Sequence, residues 1–128
     1  MMDMNRLNYY QITGFEHIYL EDSYVLDIQI TQTFAKLQVL AVLTKEHDLY
    51  KTPLPNEQYY YVNAAILFSN VKKAEWVKKI MLPIKDASGD IDYGNIDEFY
   101  FQDGHYHIIG DWGELDIVSA PPVLDYRK

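Results

Sequence analysis

The sequence predicts a mainly β protein, an antiparallel sheet or meander of six to seven strands with little helix, bent into a sandwich-like single domain over residues 1–128. Three observations support this fold class. Apolar and polar residues alternate with a period of two through much of the chain, which is typical of half-buried strands. Turn signals separate these segments. The chain is also rich in aromatic residues, with 12 Tyr and 2 Trp, whose side chains favour the pleated surface of a β-sheet.

The N-terminal half predicts a hairpin followed by an interior strand. Residues 24–31 and 34–44 alternate between apolar and polar side chains, and the polar residues between them allow a tight turn. The first segment is expected to place four side chains on one face: Tyr24, Leu26, Ile28 and Ile30. Residues 45–58 contain two prolines and several charges, which predicts a long loop. Residues 59–69 are apolar on both faces, so this strand is expected in the interior of its sheet.

The C-terminal half predicts a meander. Residues 71–81 fit both helical and strand spacing, and we favour a strand. Asp103-Gly104 is the strongest hairpin signal, because both residue types accept the positive φ that a two-residue turn requires. It joins predicted strands at residues 97–102 and 105–109, and residues 114–119 form the last strand after a turn at 110–113.

An acidic loop is predicted at residues 86–94, before the meander. With Gly89 as the turn glycine it resembles a calcium loop. However, Ile84 and Asn95 then occupy the first and last ligand positions, where calcium requires a carboxylate and a bidentate Glu. We therefore interpret the segment as a plain acidic turn.

The charge distribution points to the kind of partner. The chain has 19 Asp and Glu against 11 Lys and Arg, a net charge of −8. No Lys or Arg lies between Asp86 and Tyr126, whereas lysines are frequent in residues 72–85. Such a field attracts basic proteins and repels nucleic acids and anionic membranes. The alternative is a solvated acidic surface that only keeps the protein in solution.

Several chemistries have no sequence support. The chain has no Cys, which excludes disulfides, thiol nucleophiles and thiolate metal sites. No G-x-S-x-G turn and no glycine-rich phosphate loop occur. Residues 1–10 lack the pattern of a signal peptide. We therefore expect a cytoplasmic bacterial protein that is not an enzyme and uses no cofactor.

Two aromatic features have alternative interpretations. His105 and His107 project from the same strand face, which suits the start of a metal site, but no third ligand is evident. An exposed histidine pair is therefore preferred, and no metal is expected. Trp112 lies in a glycine-flanked turn beside Asp111, where it is expected to be an exposed anchor for a partner. Folding back against the sheet is the alternative.

Two segments carry a resemblance to a protein class: Asp97-Glu98-Phe99-Tyr100-Phe101-Gln102-Asp103-Gly104 and Gly110-Asp111-Trp112-Gly113-Glu114. With them, this acidic, Cys-free chain resembles the small immunity proteins of bacterial toxin systems. The resemblance implies a protein that neutralises a cognate toxin, such as a basic nuclease, by covering its active site. We expect an acidic, aromatic sheet edge to contact the partner through Asp97, Glu98, Asp103, Asp111, Trp112, Glu114 and Asp116.

Two other functions stay open. Residues 59–68 are apolar on both faces and could be covered by a second copy in a homodimer. A small enzyme that uses carboxylates would need a cleft and a carboxyl group with a raised pKa.

Overall fold

Residues 6–126 are described by a computed structural model, which is built almost entirely from antiparallel strands. Of residues 1–10, which were considered as a signal peptide, the first five lie outside the described residues. The strands are β1 (Leu7–Asn8), β2 (Ile18–Ile30), β3 (Phe34–Leu43), β4 (Tyr60–Ser69), β5 (Lys73–Lys79), β6 (Ile84–Lys85), β7 (Ile91–Asp92), β8 (Ile96–Gln102), β9 (His105–Gly110), β10 (Gly113–Val118) and β11 (Val123–Asp125). The only helical element in residues 6–126 is a 3₁₀ turn at Tyr9–Gln11.

Two larger sheets enclose the core. The four-stranded sheet has the order β11-β4-β3-β2, the five-stranded sheet has the order β1-β8-β9-β10-β5, and β6 pairs with β7 in a separate hairpin. Seven of the strands have six or more residues, which confirms the predicted mainly β fold of six to seven strands. The buried side chains of both larger sheets form one cluster, with Phe68 and Phe99 packed edge to face.

The predicted hairpin of β2 and β3 is present. Its turn is closed by Thr31, which accepts a hydrogen bond from the Phe34 N–H through its hydroxyl and donates its own N–H to the Phe34 carbonyl. Alternate residues of β3 are buried from Leu37 to Leu43, as the period-two pattern predicts. The prediction of an interior strand at 59–69 is also confirmed, because β4 lies between β3 and β11.

A β-bulge in β2 changes the predicted faces. Val25 pairs with Val39 and Asp27 with Gln38, so Leu26 is an extra residue in a β-bulge. Val25 is buried in the core, whereas Tyr24 packs against Tyr61 outside it. The expectation that Tyr24 and Leu26 share the face of Ile28 and Ile30 is therefore wrong, because one inserted residue exchanges the two faces of a strand.

The five-stranded sheet contains the predicted meander. Asp103 and Gly104 have φ values of 53° and 83°, as the two-residue turn requires. The ambiguous segment 71–81 forms strand β5 at an edge of the sheet. Lys72, Lys73, Lys78 and Lys79 on or beside β5 disfavour pairing with another β5 edge.

The predicted long loop at residues 45–58 joins β3 to β4. The predicted acidic loop at 86–94 is only partly a loop, because Ile91–Asp92 form strand β7, and residues 86–90 join β6 to β7. No helix in the described part of the chain is long and apolar enough to cross a membrane.

Candidate functional site

The seven residues expected to bind a partner are not brought together in one place. Asp103 lies at the β8–β9 turn and Asp111 at the β9–β10 turn, which are at opposite ends of antiparallel strands. Moreover, β9 and β10 are interior strands of their sheet, and β1 pairs with only two residues of β8. Asp97 and Glu98 lie on the part of β8 that β1 does not cover, whereas the other predicted residues lie on interior strands or at turns. The seven residues therefore do not form one continuous acidic sheet edge.

Trp112 is not an exposed anchor. Its side chain has 0% exposure, its ring packs edge to face on Trp76 with centroids 6.0 Å apart, and its indole N–H donates to the Asn95 carbonyl at 3.1 Å. Gly110 makes this possible, because a Cβ there would overlap the indole nitrogen. The alternative, in which the ring folds back against the sheet, is the observed one.

Three of the predicted carboxylates lie on the outer face, by which we mean the solvent side of the five-stranded sheet. They are Glu98, Glu114 and Asp116, on strands β8 and β10. Asp97 is exposed at a register shift in β8, near one end of the sheet. Although Asp97 is exposed, partial desolvation and the neighbouring charges of Asp111 and Glu98 raise the pKa of its carboxyl group.

Two of the three outer-face carboxylates, those of Glu98 and Asp116, contact basic side chains of the same face. Arg6 pairs with Glu98 at 3.0 Å, and Asp116 contacts both His105 at 2.7 Å and Lys73 at 3.5 Å. Burial raises the pKa of Asp116, but hydrogen bonding and charge from His105 and the charge of Lys73 outweigh it, so the pKa is lowered.

The histidines on this face continue the network. The rings of Tyr100 and His107 stack with centroids 4.9 Å apart, and those of His107 and His105 stack at 5.9 Å. Among residues 6–126, no three His, Cys, Asp or Glu side chains converge as metal ligands.

A second acidic region is the cleft, a cavity of about 840 Å³ between the β6–β7 hairpin and the outer side of β2, β3 and β4. Its apolar and aromatic lining comes from both walls: Tyr24, Leu26, Leu40, Tyr61, Ile84 and Ile91. Five carboxylates line it as well: Glu57, Asp86, Asp90, Asp92 and Asp111. Of the predicted binding residues, only Asp111 is among them.

Tyrosines form the floor of the cleft and continue beyond it. The ring centroids of Tyr24 and Tyr61 are 6.1 Å apart, and contacts of 6.2 Å and 6.3 Å lead on to Tyr59 and Tyr19. Burial raises the pKa of Tyr61, and a hydrogen bond to Asp22 raises the pKa of Tyr59 to about 12. Both phenols are therefore neutral at physiological pH and present uncharged rings.

The carboxylates of the cleft are held by backbone and hydroxyl groups instead of cations. Asp92 accepts the Gly94 N–H at 2.7 Å, and Asp111 accepts the Asn95 N–H at 3.0 Å. Asp86 accepts hydrogen bonds from the hydroxyl and N–H of Ser88 and from the Asp90 N–H. These bonds, the Ser88 hydroxyl most of all, lower the pKa of Asp86 although partial desolvation opposes them.

No Lys or Arg lines the cleft, and none of the ion pairs in the described part of the chain involves its carboxylates. The loop at 86–90, which is part of the segment 86–94 interpreted as a plain acidic turn, is closed by its own hydrogen bonds. The cleft can therefore accept positive charge that the protein itself does not supply.

Sequence reasoning missed most of this site. The absence of Lys and Arg after Asp86 was the available signal for its acidic wall. No local signal joined that wall to Tyr24 and Tyr61. These residues lie 62 and 25 positions before Asp86 in the sequence and approach the wall only in the folded chain.

An enzyme that uses carboxylates would need a cleft and a carboxyl group with a raised pKa, and these two features lie in different places. Within residues 6–126, the carboxyl group with a raised pKa is that of Asp97. It lines a separate cavity of about 80 Å³ beside Arg6, Tyr9 and Glu21, and it does not line the cleft.

Comparison with known proteins gives no relative. No protein-family model matches the sequence, no curated protein matches it, and no solved structure matches the fold.

Proposed function

We propose that this protein is a non-enzymatic binding domain whose cleft receives a basic segment of a partner protein. Neutralisation of a cognate toxin, as by a bacterial immunity protein, is the specific form that we propose. One observation carries the proposal: five carboxylates and no cation line a cleft whose floor is aromatic and aliphatic.

The physical basis is complementarity of charge and of apolar surface. Opposite potentials raise the encounter rate and orient the two proteins, while buried aromatic contacts slow dissociation. A nuclease toxin holds its substrate phosphates with cations, and the carboxylates of the cleft would bind those cations instead. The same negative field disfavours nucleic acid and anionic membranes as direct ligands.

The homodimer alternative has no specific observation in its favour. Ala64, Ile66 and Phe68 of β4 are buried in the protein's own core, and their strand lies inside the sheet. Lysines protect the free edge at β5. Sedimentation at low and high salt tests this alternative, which requires a tight dimer at both.

A capture experiment with matched charge variants tests the proposal. Tagged protein is incubated with lysate of its source organism and washed at low and then high salt. We expect one basic protein to be retained at low salt and released at high salt. The activity of the retained protein, for instance on nucleic acid, is then assayed with and without the tagged domain, and the domain should inhibit it.

Two triple variants separate the cleft from the carboxylates outside it. The cleft variant carries Glu57→Gln, Asp90→Asn and Asp111→Asn, and the control carries Glu98→Gln, Asp103→Asn and Glu114→Gln. Both remove three negative charges, so net charge alone cannot distinguish them. We expect capture to fail only with the cleft variant. Equal loss with both variants, or recovery of the bait alone at every salt concentration, would contradict the proposal.

A further inference from the structure

One arginine of this protein already occupies a site made of a tyrosine ring and a carboxylate. The Arg6 guanidinium lies 3.6 Å from the ring centroid of Tyr100 and donates to Glu98 at 3.0 Å. A guanidinium suits such a site because it is planar and weakly hydrated, so it stacks on an aromatic face while its N–H groups bond a carboxylate.

The cleft presents the same groups without a cation. At what we call the Gly94 end, the Val25 N–H donates to the Gly94 carbonyl at 2.8 Å, which places the neighbouring Tyr24 beside Gly94. The Tyr24 and Tyr61 rings are tilted by 34° to each other and both line the cleft.

The carboxylates at this end are fixed in position. Asp92 and Asp111 accept hydrogen bonds from the consecutive amides of Gly94 and Asn95, so each carboxylate is held against the backbone at this end before any ligand arrives. Asn95 is itself anchored, since its side-chain amide donates to the Ser23 carbonyl at 2.7 Å. Such preorganisation lowers the entropic cost of binding.

We infer that the Gly94 end of the cleft receives an arginine side chain of the partner, stacked on Tyr24 or Tyr61 and paired with Asp92 and Asp111. This inference rests on the proposed function and names the chemistry of the partner's contact. Lysine fits less well, because its ammonium is strongly hydrated and cannot form the forked, planar contact.

The entrance to the cleft indicates what flanks that arginine. Ile84 and Ile91 on the β6–β7 hairpin are 48% and 53% exposed and line the cleft. The residues next to the arginine should therefore be apolar.

An NMR titration of the complete ¹⁵N-labelled protein tests the inference. The probes are three short peptides with apolar flanks and a single central residue: arginine, lysine or citrulline. We expect the arginine peptide to shift the amide signals of Gly94 and Asn95 and to bind about tenfold more tightly than the lysine peptide. The citrulline peptide, which keeps the shape without the charge, should not bind.

Two single variants and one control sharpen the result. Asp111→Asn and Tyr61→Leu should each weaken binding of the arginine peptide by about fivefold or more. Tyr100→Leu, on the outer face, should leave its affinity unchanged. Equal affinity for the arginine and lysine peptides, or the same signal shifts and equal affinity with spermidine, would overturn the inference in favour of general cation binding.

The failures of the two proposals are distinguishable. If the partner is captured through the cleft but no peptide binds the Gly94 end, the arginine inference fails and the proposed function stands. If the arginine peptide binds there but no partner is captured, the guanidinium site is supported and the protein partner is not.

Discussion

The outer face and the cleft are both acidic and aromatic, but they differ in how their negative charge is compensated. On the outer face, Arg6, Lys73 and His105 contact the carboxylates of Glu98 and Asp116. In the cleft, no basic side chain contacts the lining carboxylates within the described residues. The comparison shows that acidic composition alone does not mark a binding surface, because paired charges are already satisfied.

Trp112 is fully buried and its indole N–H donates to Asn95 at the cleft, so its removal should have the largest effect. Trp112→Ala is expected to lower the free energy of unfolding by about 3–5 kcal/mol, because it leaves a large cavity in the core. Urea unfolding followed by circular dichroism measures the change.

Trp76→Ala is the control for that variant, since Trp76 is only half-buried against the ring of Trp112 and should cost less. A fully stable Trp112→Ala protein with faster partner dissociation would restore the original expectation of an exposed anchor.

Gly94→Ala should have the next largest effect, and it acts on the cleft. Gly94 has a φ of +96°, and a Cβ there would overlap the Asp111 carboxylate. Gly14 has the same φ with open space around it. We expect Gly14→Ala to cost about 1 kcal/mol of backbone strain, and Gly94→Ala to cost at least about 1 kcal/mol more and to weaken partner binding.

Measured by urea unfolding, equal losses for the two glycine variants would show that Asp111 moves aside at no cost. The Gly94 end would then not be preorganised.

Asp116→Asn tests the compensated charges of the outer face. Because the pKa of Asp116 is lowered in the folded state, its charge stabilises the protein at neutral pH. That contribution is lost as the pH falls below 3.8, the usual pKa of an Asp carboxyl group, and then through the lowered pKa of Asp116. The variant should lose about 1 kcal/mol at pH 7 and little at acidic pH, as measured by urea unfolding across that range.

Asp97→Asn should change the free energy of unfolding in the direction opposite to Asp116→Asn. Since the pKa of Asp97 is raised, its charge is unfavourable above that pKa, and the variant should be slightly more stable at pH 7. A loss of stability there would contradict this expectation.

Single charge removals should give the smallest effects, again with opposite signs in the two regions. Glu57→Gln in the cleft should raise the free energy of unfolding by about 0.3 kcal/mol at low salt, because it relieves repulsion. Glu98→Gln should lower it by a similar amount, because Arg6 loses its partner. Both changes should fade near about 0.5 M salt, and changes of the same sign would remove the distinction between the regions.

Much of the fold could be predicted because its signals are local. Alternation located β3 and β4, and Asp103-Gly104 located the turn between β8 and β9. The faces of β2 could not be predicted, since the bulge at Leu26 has no local marker. The burial of Trp112 depends on Asn95 and Trp76, which are distant in sequence and meet it only in the folded chain.

The sequence by itself indicated the seven longer strands, the turn between β8 and β9 and the net negative charge, because each follows from neighbouring residues or from composition. It did not indicate the short strands β1, β6, β7 and β11. Only the tertiary structure decided which carboxylates are compensated. The partners of Glu98 and Asp116 include Arg6 and Lys73, which lie 92 and 43 positions away. The fold also brought Tyr24 and Tyr61 beneath the acidic hairpin. Charge pairing and cleft formation depend on distance in space, which a linear pattern does not contain.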